Sequence, residues 1–296
     1  MRVRKFARAP IQSIAVHGLS KTELGELNSV AVRSVGTERS YKSAIRQYQQ
    51  WLQEYRLPVK GPNLLGQALE FLDDYAETHA QKTVDQARQA LQKYLKLRIA
   101  RVPSCVPQHT RGRAYRLGEV EQLIVRQSLE FQLATLLCLD AGLRAHECLT
   151  LHEPDGTGPS QHRVWLPERF AGRTDYEVFH VKGKGGLIRE VAISTPLANA
   201  LRETRRPHPI EVRDRGVNHL SYFDIGGGQS LSSSFSRASK LELGWSLGLH
   251  GLRHSYAQER LRVLTKILGA KLALKVLSQE LGHFRPAVTL VYLTGR

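Results

Sequence analysis

Residues 250–257 read His-Gly-Leu-Arg-His-Ser-Tyr-Ala, and the remaining features of the sequence can be arranged around this stretch. His250 and Arg253 are three residues apart, so in a helix their side chains lie on one face. His250 and His254 have the i, i+4 spacing of a zinc-protease helix, but Gly251 stands where that motif needs a glutamate. The stretch therefore predicts a helix that presents a histidine and an arginine to a phosphate, and it argues against a metal site here.

Other places in the C-terminal half carry side chains of the same chemical kinds. Arg144 follows Gly142-Leu143 where a helix should end, and His283 follows Leu281-Gly282 at another expected helix end. Tyr292 lies nine residues after His283. Each residue alone has an ordinary explanation, because an arginine after a helix is usually a surface charge and a tyrosine near a C-terminus is usually a packing residue.

A β-hairpin is predicted between Arg144 and the histidines. Two short β-branched runs, 177–181 and 188–193, flank a glycine-rich turn that reads Lys-Gly-Lys-Gly-Gly over residues 182–186. We place Lys184 at the tip of this turn because it stands between two glycines, and Lys182 stays open as the alternative.

The composition indicates a polyanionic partner, with nucleic acid as the first candidate. The 296 residues include 43 Lys+Arg and 27 Asp+Glu, which gives a formal net charge of +16. The three cysteines include no C-x-x-C pair, which argues against a disulfide framework or a cysteine zinc site and fits a reducing cytosol. The most apolar run, residues 129–143, is interrupted by polar side chains and is too short to span a bilayer. We therefore expect a cytoplasmic protein without a membrane partner.

The chain is expected to divide into a basic arm (1–20), a helical domain (21–100), a basic linker (101–114) and a larger domain (115–296). Apolar residues at three- and four-residue spacing predict an amphipathic helix over 37–55. Between Asp85 and Glu119 there are eight bases and no acid, and the middle of this region has two prolines and no periodicity. A basic linker between two basic domains suits a protein that wraps a duplex, although a solvated hinge would have the same composition.

The larger domain is expected to be mixed. Two helices are predicted over 120–139, a strand over 163–166, and then the hairpin. The remainder is predicted to be mainly helical, with helices over 196–205, 231–243, 250–264 and 270–281. The expected fold class is therefore mainly α with a small antiparallel β-sheet: an all-helical N-terminal domain followed by an α+β domain.

Some of the bases are candidates for contact with DNA. They lie on the polar face of the 37–55 helix or in and beside the linker: Arg39, Lys42, Arg46, Arg98, Arg101, Arg111 and Arg113. A solvated helix face explains the first three equally well.

Taken in order, the C-terminal features resemble the tyrosine recombinase family, which includes phage-type integrases and chromosome-dimer resolvases. Four segments match in wording as well as spacing: Ala-Gly-Leu-Arg-x-x-Glu from residue 141, Gly-Lys-Gly-x-x-x-Arg at 183–189, His-x-Leu-Arg-His-Ser-Tyr-Ala at 250–257, and a segment from Leu-Gly-His to Tyr at 281–292. The motifs lie within residues 115–296, and the N-terminal part matches only in its general form. In this family two domains clamp the DNA from opposite sides.

The resemblance implies that Tyr292 is the nucleophile, which attacks the scissile phosphate to give a 3′-phosphotyrosine and a free 5′-hydroxyl. A free tyrosine has a pKa of about 10, so attack at neutral pH needs a base and a positive environment. By resemblance, His250 would accept the tyrosine proton.

The remaining roles concern the phosphate. The resemblance implies that Arg144 and Arg253 bind its non-bridging oxygens, as the planar, permanently charged guanidinium does well. Lys184 would protonate the leaving 5′-oxygen, and His283 would hydrogen-bond the phosphate.

The resemblance also implies partners. These are double-stranded DNA with inverted-repeat recombination sites and further copies of the chain, a dimer on each site and a tetramer on paired sites. No metal or cofactor is expected, because two arginines, a lysine and two histidines can supply the charge and the phosphotyrosine conserves the energy of the broken bond.

Two other functions stay open. A type IB topoisomerase shares the chemistry, and a DNA-binding regulator that never cuts shares the charge. The sequence leaves open the target site and whether the protein serves a phage, a transposon, another mobile element or the chromosome.

Overall fold

The computed structural model describes residues 15–17, 24–26, 31–107, 112–183 and 186–293. The chain separates into two compact units, Met1–His109 and Thr110–Arg296. Most of the basic arm expected over 1–20 lies outside the described residues, and so do Arg111 and Lys184.

The first unit is built on three described helices: α1 (Val35–Glu54), α2 (Leu64–Thr78) and α3 (Gln81–Leu95). The apolar stripe of α1 is buried, with Ile45 and Leu52 fully inaccessible to solvent. It forms one core with apolar side chains of the other two helices, such as Leu72 and Leu91. The burial of one face of each helix is what the three- and four-residue spacing predicts.

The second unit contains helices and two small antiparallel sheets. Its described helices are α4 (Leu117–Ile124), α5 (Leu129–Asp140), α6 (Thr195–Glu203), α7 (Gly228–Leu243), α8 (His250–Leu268), α9 (Ala270–Glu280) and α10 (Pro286–Thr289). Short 3-10 helices occur at Glu147–Thr150 and Leu290–Leu293. Among the described residues, no helix has both the length and the apolar character needed to cross a bilayer.

The predicted hairpin is present as β1 (Tyr176–Lys182) and β2 (Ile188–Ser194). The strands pair antiparallel from Tyr176 opposite Ser194 to Lys182 opposite Ile188, so the glycine-rich turn closes the end of this sheet. The main core of the unit includes the buried side chains of Phe179, Val181 and Val191 from this sheet.

A second hairpin, β3 (Arg205–Asp214) and β4 (Val217–Phe223), lies between the helices predicted over 196–205 and 231–243, where no strand was predicted; the rest of this region is mainly helical, as predicted. Two prolines made β3 hard to predict from the sequence, because proline has no N–H to donate to the hydrogen bonds between strands. Both lie between Arg205 and Ile210, where the strand pairing shifts register. The turn uses Arg215 and Gly216, both with positive φ, as a two-residue hairpin turn of the primed type requires.

The strand predicted over 163–166 is wrong. The backbone there bonds to side chains and turns rather than to a neighbouring strand. The Leu166 N–H donates to Gln279 Oε1 at 2.7 Å, and Gln279 Nε2 donates to the Val164 carbonyl at 3.1 Å. One glutamine side chain thus replaces the expected strand partner.

Helix α8 runs between two apolar clusters, and this packing positions the histidine and arginine side chains of its first turns. Leu252 belongs to the main core, with residues of α5 and the β1–β2 sheet. Tyr256 and Leu264 belong to a second cluster with residues of α9 and with Tyr292. Arg253 lies next to Leu252 in the sequence and is fully buried.

Candidate active site

The guanidinium of Arg253 is fixed in the interior. Its Nη1 donates to the Gly142 carbonyl and its Nη2 to the Leu281 carbonyl, so it joins the end of α5 to the end of α9. Nη2 also lies 3.4 Å from His283 Nε2. Burial lowers the pKa of Arg253 to about 9, which still leaves the side chain charged at neutral pH.

A single carboxylate, that of Glu147, organises the arginines. Arg144 donates to Glu147 Oε1 from Nη1 at 2.6 Å and to Oε2 from its backbone N–H at 2.8 Å. Arg189 Nη2 donates to Oε2 at 2.8 Å, and Arg253 Nη1 lies 3.9 Å from the same oxygen. Burial alone would raise the pKa of Glu147, but Arg189, Arg144 and Arg253 hold it well below its usual value. Three positive charges therefore surround one negative charge, which leaves an excess that an anion can neutralise.

Glu147 and Arg189 had no assigned role in the sequence analysis. Both are almost fully buried, although charged side chains rarely are unless they are paired. Arg189 also donates from Nη1 to the Glu280 carbonyl at 2.8 Å. One sequence feature could have indicated a role for Glu147. It stands three residues after Arg144, and at that spacing a carboxylate can accept a hydrogen bond from the backbone N–H of the earlier residue.

The turn before Arg144 requires glycine. Gly142 has φ +59°, and a Cβ there would lie 2.5 Å from Cδ1 of Tyr256. The carbonyl of the same residue accepts from Arg253. The motif glycine is thus explained by packing and backbone conformation.

Tyr292 lies in the 3-10 helix Leu290–Leu293 and is only 7% exposed. Its hydroxyl is 3.3 Å from His283 Nε2, and Cζ of Arg253 is 5.7 Å from the centre of its ring. The rings of His254 and His250 are centred 4.6 and 5.5 Å from that of Tyr292. The tyrosine, three histidines and a buried arginine are therefore brought together.

Among the residues that the structure describes, His283 is the histidine with a ring nitrogen within hydrogen-bonding distance of the Tyr292 hydroxyl. Burial, followed by the charges of Arg253 and Arg144, lowers the pKa of His283 to about 3, so the ring is neutral at neutral pH. Because Nε2 faces an Arg253 N–H, that nitrogen is suited to accept hydrogen bonds. The family resemblance implies His250 as the proton acceptor, whereas in this arrangement it is His283 Nε2 that lies 3.3 Å from the Tyr292 hydroxyl.

His250 and His254 lie on one face of α8, with ring centres 5.6 Å apart. Burial lowers the pKa of His254 to about 4. The His250 side chain reaches the protein surface. The residues packed around it still remove part of its hydration, and this partial burial, followed by the charge of Arg253, lowers its pKa as well. Both rings are thus neutral at neutral pH.

The turn that contains Lys184 begins beside Arg144 and Glu147. A Cβ at Gly183 would lie 3.1 Å from Glu147 Oε1 and 3.9 Å from Arg144 Nη1. Lys184 itself is outside the described residues. Lys182 is exposed, and its backbone N–H and carbonyl both bond to Thr150 Oγ1 at 3.1 Å. The choice of Lys184 as the acid therefore stays a prediction.

Of the candidate DNA-binding residues on α1, Arg39 and Arg46 are exposed. Lys42 is half-buried and donates to Glu38 one turn earlier, so this lysine has a partner within its own helix.

The candidates near the linker differ in their surroundings. Arg98 and Arg113 are exposed. Arg101 is exposed as well, and its Nε lies 3.5 Å from Asp85 Oδ1.

No protein-family model matches the sequence, and no curated protein matches it. Several solved structures are similar to the chain over most of its length. The XerH site-specific recombinase bound to its difH substrate before cleavage is 16% identical, with a TM-score of 0.57 over 98% of this chain and 90% of that one. The Tn1549 transposon integrase in complex with transposon right end DNA is 14% identical, with a TM-score of 0.51 over 98% and 94%.

A lambda integrase dimer bound to a COC′ core site is also similar. It is 15% identical, with a TM-score of 0.55 over 92% of this chain and 75% of that one. The agreement extends over both units and includes proteins described as recombinases and as integrases. The chain therefore has the tyrosine recombinase fold, as its motifs predict.

Proposed function

We propose that the protein is a site-specific DNA recombinase or integrase that breaks and rejoins strands through a 3′-phosphotyrosine. The observation that carries this proposal is the position of the Tyr292 hydroxyl, 3.3 Å from a neutral histidine nitrogen and beside the buried Arg253. A nucleophile, a proton acceptor and permanent positive charge are the parts that phosphoryl transfer to tyrosine requires.

In the first step the Tyr292 oxygen attacks the phosphorus. The bond from that oxygen to phosphorus forms as the bond to the 5′-oxygen breaks, and the phenolic proton passes to a neutral histidine. His283 has the nearer nitrogen in this arrangement, and His250 is the alternative implied by the family. We assign protonation of the leaving 5′-oxygen to Lys184.

Arg144 and Arg253 bind the phosphate in this mechanism. Charge grows on the non-bridging oxygens as the phosphorus becomes five-coordinate, and fixed donors stabilise it without reorganising. Glu147 keeps the Arg144 guanidinium in place, and two backbone carbonyls do the same for Arg253.

Rejoining is the reverse reaction: a new 5′-hydroxyl attacks the phosphorus, its proton passes to the Lys184 amine that the first step left neutral, and the bond from phosphorus to the Tyr292 oxygen breaks. The phosphodiester energy stays in the phosphotyrosine bond, so the step needs no ATP. The same histidine then returns its proton to the tyrosine oxygen.

Duplex DNA carrying inverted repeats is the proposed partner. The similar XerH and lambda integrase structures are complexes with their own DNA sites, and the lambda integrase is a dimer on its site. We propose a dimer of this chain on each site and a tetramer on paired sites. We also propose that it works in the cytoplasm, where its DNA is.

The test uses nicked duplexes that tile the DNA flanking the gene, because loss of a short 3′ fragment traps the covalent intermediate. Wild-type protein should give a denaturant-resistant adduct with a subset of duplexes, and Tyr292→Phe should give none while still binding DNA. Tyr55→Phe is the matched control, since Tyr55 is 57% exposed in the other unit.

Three outcomes would contradict the proposal. An adduct that persists in Tyr292→Phe makes the nucleophile wrong. Relaxation of supercoiled plasmid without a preferred site favours the topoisomerase. Tight binding to a specific duplex with no adduct favours the regulator.

A further inference from the structure

We propose that His152, Asp155 and His180 form a binding site for a divalent transition-metal ion of the zinc class. Each offers one ligand atom, and the three atoms lie within 4.8 Å of one another. The site is separate from the residues assigned to phosphoryl transfer, so it does not depend on the function proposed above. It also goes beyond the expectation from the sequence, which included no metal.

Backbone pairing brings the two histidines together although they are distant in the sequence. The His152 N–H donates to the His180 carbonyl at 3.0 Å, and the His180 N–H donates to the His152 carbonyl at 2.8 Å. Their rings meet edge to face with centres 5.6 Å apart. The positions of both ring nitrogens are therefore set by the fold, before any ion binds.

The hydrogen bonding of His152 leaves the correct nitrogen for a metal. Its Nδ1 lies 2.9 Å from the Thr150 carbonyl, and because a carbonyl can only accept, Nδ1 carries the proton. Nε2 then has a free lone pair. A metal-binding histidine commonly donates its other N–H to a carbonyl in this way. Tyr222 stacks on the ring at 5.2 Å and further fixes its orientation.

His180 supplies a buried nitrogen that lacks a partner. The residue is 2% exposed, and among the described residues nothing hydrogen-bonds its Nδ1. Buried polar atoms are normally satisfied, so an unsatisfied nitrogen on a ring that contributes a ligand atom to this cluster points to a missing partner.

Asp155 contributes one oxygen and uses the other to hold its loop. Oδ1 accepts from the Thr157 N–H at 3.1 Å and from its hydroxyl at 2.6 Å. Oδ2 lies 3.9 Å from His152 Nε2, too far for a hydrogen bond. Two ligands of one tetrahedral ion at ordinary bond lengths are about 3.3 Å apart, so a small movement of the exposed Asp155 closes the site.

The other nearby carboxylates are already engaged. Ion pairs to arginine hold each of them: Glu153 with Arg202 and Arg205, Glu177 with Arg202, and Glu190 with Arg169. Of the acids in the described part of the chain, Asp155 is thus the one that remains for an ion at this point.

The donor set selects the metal. Two imidazoles and one carboxylate suit zinc and its neighbours, whereas magnesium and calcium prefer oxygen ligands alone. Three protein ligands leave a fourth position for water. An ion there would tie the segment after Thr150 to β1, which leads into the glycine-rich turn.

Cobalt and zinc test the site directly. Full-length protein stripped with a chelator should bind one Co²⁺ with the visible absorption of a four- or five-coordinate ion, and Zn²⁺ should displace it. Because Asp155 is exposed, the Asp155→Asn variant should fold normally. It should bind Co²⁺ at least about 10-fold more weakly than wild type. His152→Ala should weaken it by as much, and His208→Ala, at an exposed histidine on β3, should leave it unchanged.

Thermal unfolding gives a second measurement. Zn²⁺ should raise the Tm of wild-type protein and of His208→Ala, because an ion that binds only the folded state stabilises it. It should leave the Tm of Asp155→Asn unchanged, and the metal-free Tm values of wild type and Asp155→Asn should agree. The proposal is overturned if wild type shows no visible absorption or zinc-dependent Tm rise, or if Asp155→Asn and His152→Ala bind Co²⁺ as wild type does.

Discussion

At the scale of single residues, Glu147 decides whether the arginines of the site can coexist. Without its charge, the buried guanidinium groups of Arg189 and Arg253 and the partly buried one of Arg144 would face one another with no carboxylate between them. The cost of removing one partner from a buried ion pair is typically about 3 to 5 kcal/mol, because the remaining charge is buried without compensation. A carboxylate that never touches the substrate can therefore determine whether the site exists.

Glu147→Gln should lower the free energy of unfolding by about 3 kcal/mol, measured by urea denaturation. The matched control is Glu242→Gln, because Glu242 pairs with Arg126 at 2.8 Å on the surface and its loss should cost less than about 1 kcal/mol. Equal effects of the two changes would mean that the buried arginines do not need the carboxylate.

The shifted histidine His283 and the shifted carboxylate Glu147 should both make the protein less stable as the pH falls. The pKa of His283 is lowered by folding from 6.5 to about 3, so the unfolded chain takes up its proton first as the pH falls. Stability should fall from pH 6.5 towards pH 3, by up to about 1.4 kcal/mol per pH unit for each such proton. Glu147, whose pKa is also lowered, adds a further loss as the pH falls through 4.5.

His283→Asn should make that pH dependence shallower between pH 7 and pH 5, whatever it does to the stability at pH 7. The measurement is the free energy of unfolding at several pH values. His162→Asn, at an exposed histidine, should keep the wild-type slope. An unchanged slope in His283→Asn would show that the ring titrates alike in the folded and unfolded chain.

At the scale of elements, the turn from α5 into Arg144 depends on a glycine for two separate reasons. Gly142 has positive φ, and it also leaves room for Tyr256. Gly216, in the β3–β4 turn, has φ +85° with nothing within 4 Å of an added Cβ, so it shows the first constraint without the second.

Gly142→Ala should therefore destabilise the protein more than Gly216→Ala. The left-handed conformation costs about 1 to 2 kcal/mol in either variant, and only the first adds a steric clash. Denaturant titration of both proteins measures the difference. If the two losses are equal, the Tyr256 ring moves aside without cost.

The elements also show what the sequence could predict. Helical spacing predicted α1, because one face of this helix buries apolar side chains whatever its neighbours are. The β3 strand was missed because Pro207 and Pro209 argue against a strand, and only the pairing register shows where they are tolerated.

Among site residues, Arg144, Arg253, His283 and Tyr292 stand in motifs whose order is visible in one dimension. Glu147 and Arg189 stand in the same motifs, but the sequence did not indicate what they do, because their roles depend on a contact between elements that are far apart in the chain. The spacing that predicts a helix carries no information about such contacts.

At the scale of the whole molecule, the net charge of +16 comes from bases in different surroundings. Arg189 and Arg253 are buried and serve the site, while Arg39 and Arg46 are exposed on α1. If the exposed group meets DNA phosphates, each contact releases counterions and contributes to the salt dependence of binding.

Arg39→Gln combined with Arg46→Gln should reduce the slope of log K against log salt by about 2, as fluorescence anisotropy at several salt concentrations would show. Lys60→Gln, at an exposed lysine of the same unit, should leave the slope unchanged. A slope unaltered by the double change would place the DNA elsewhere.

The backbone N–H of Arg144 donates to the buried Glu147 side chain rather than to a helix or sheet ladder. An amide in a connecting turn normally exchanges with solvent deuterium by small local openings. This one is bonded to a buried carboxylate oxygen that also accepts from Arg189, which belongs to β2. The Arg144 amide should therefore exchange as slowly as the core strands, so that a loop residue reports the cooperative unfolding of the entire unit.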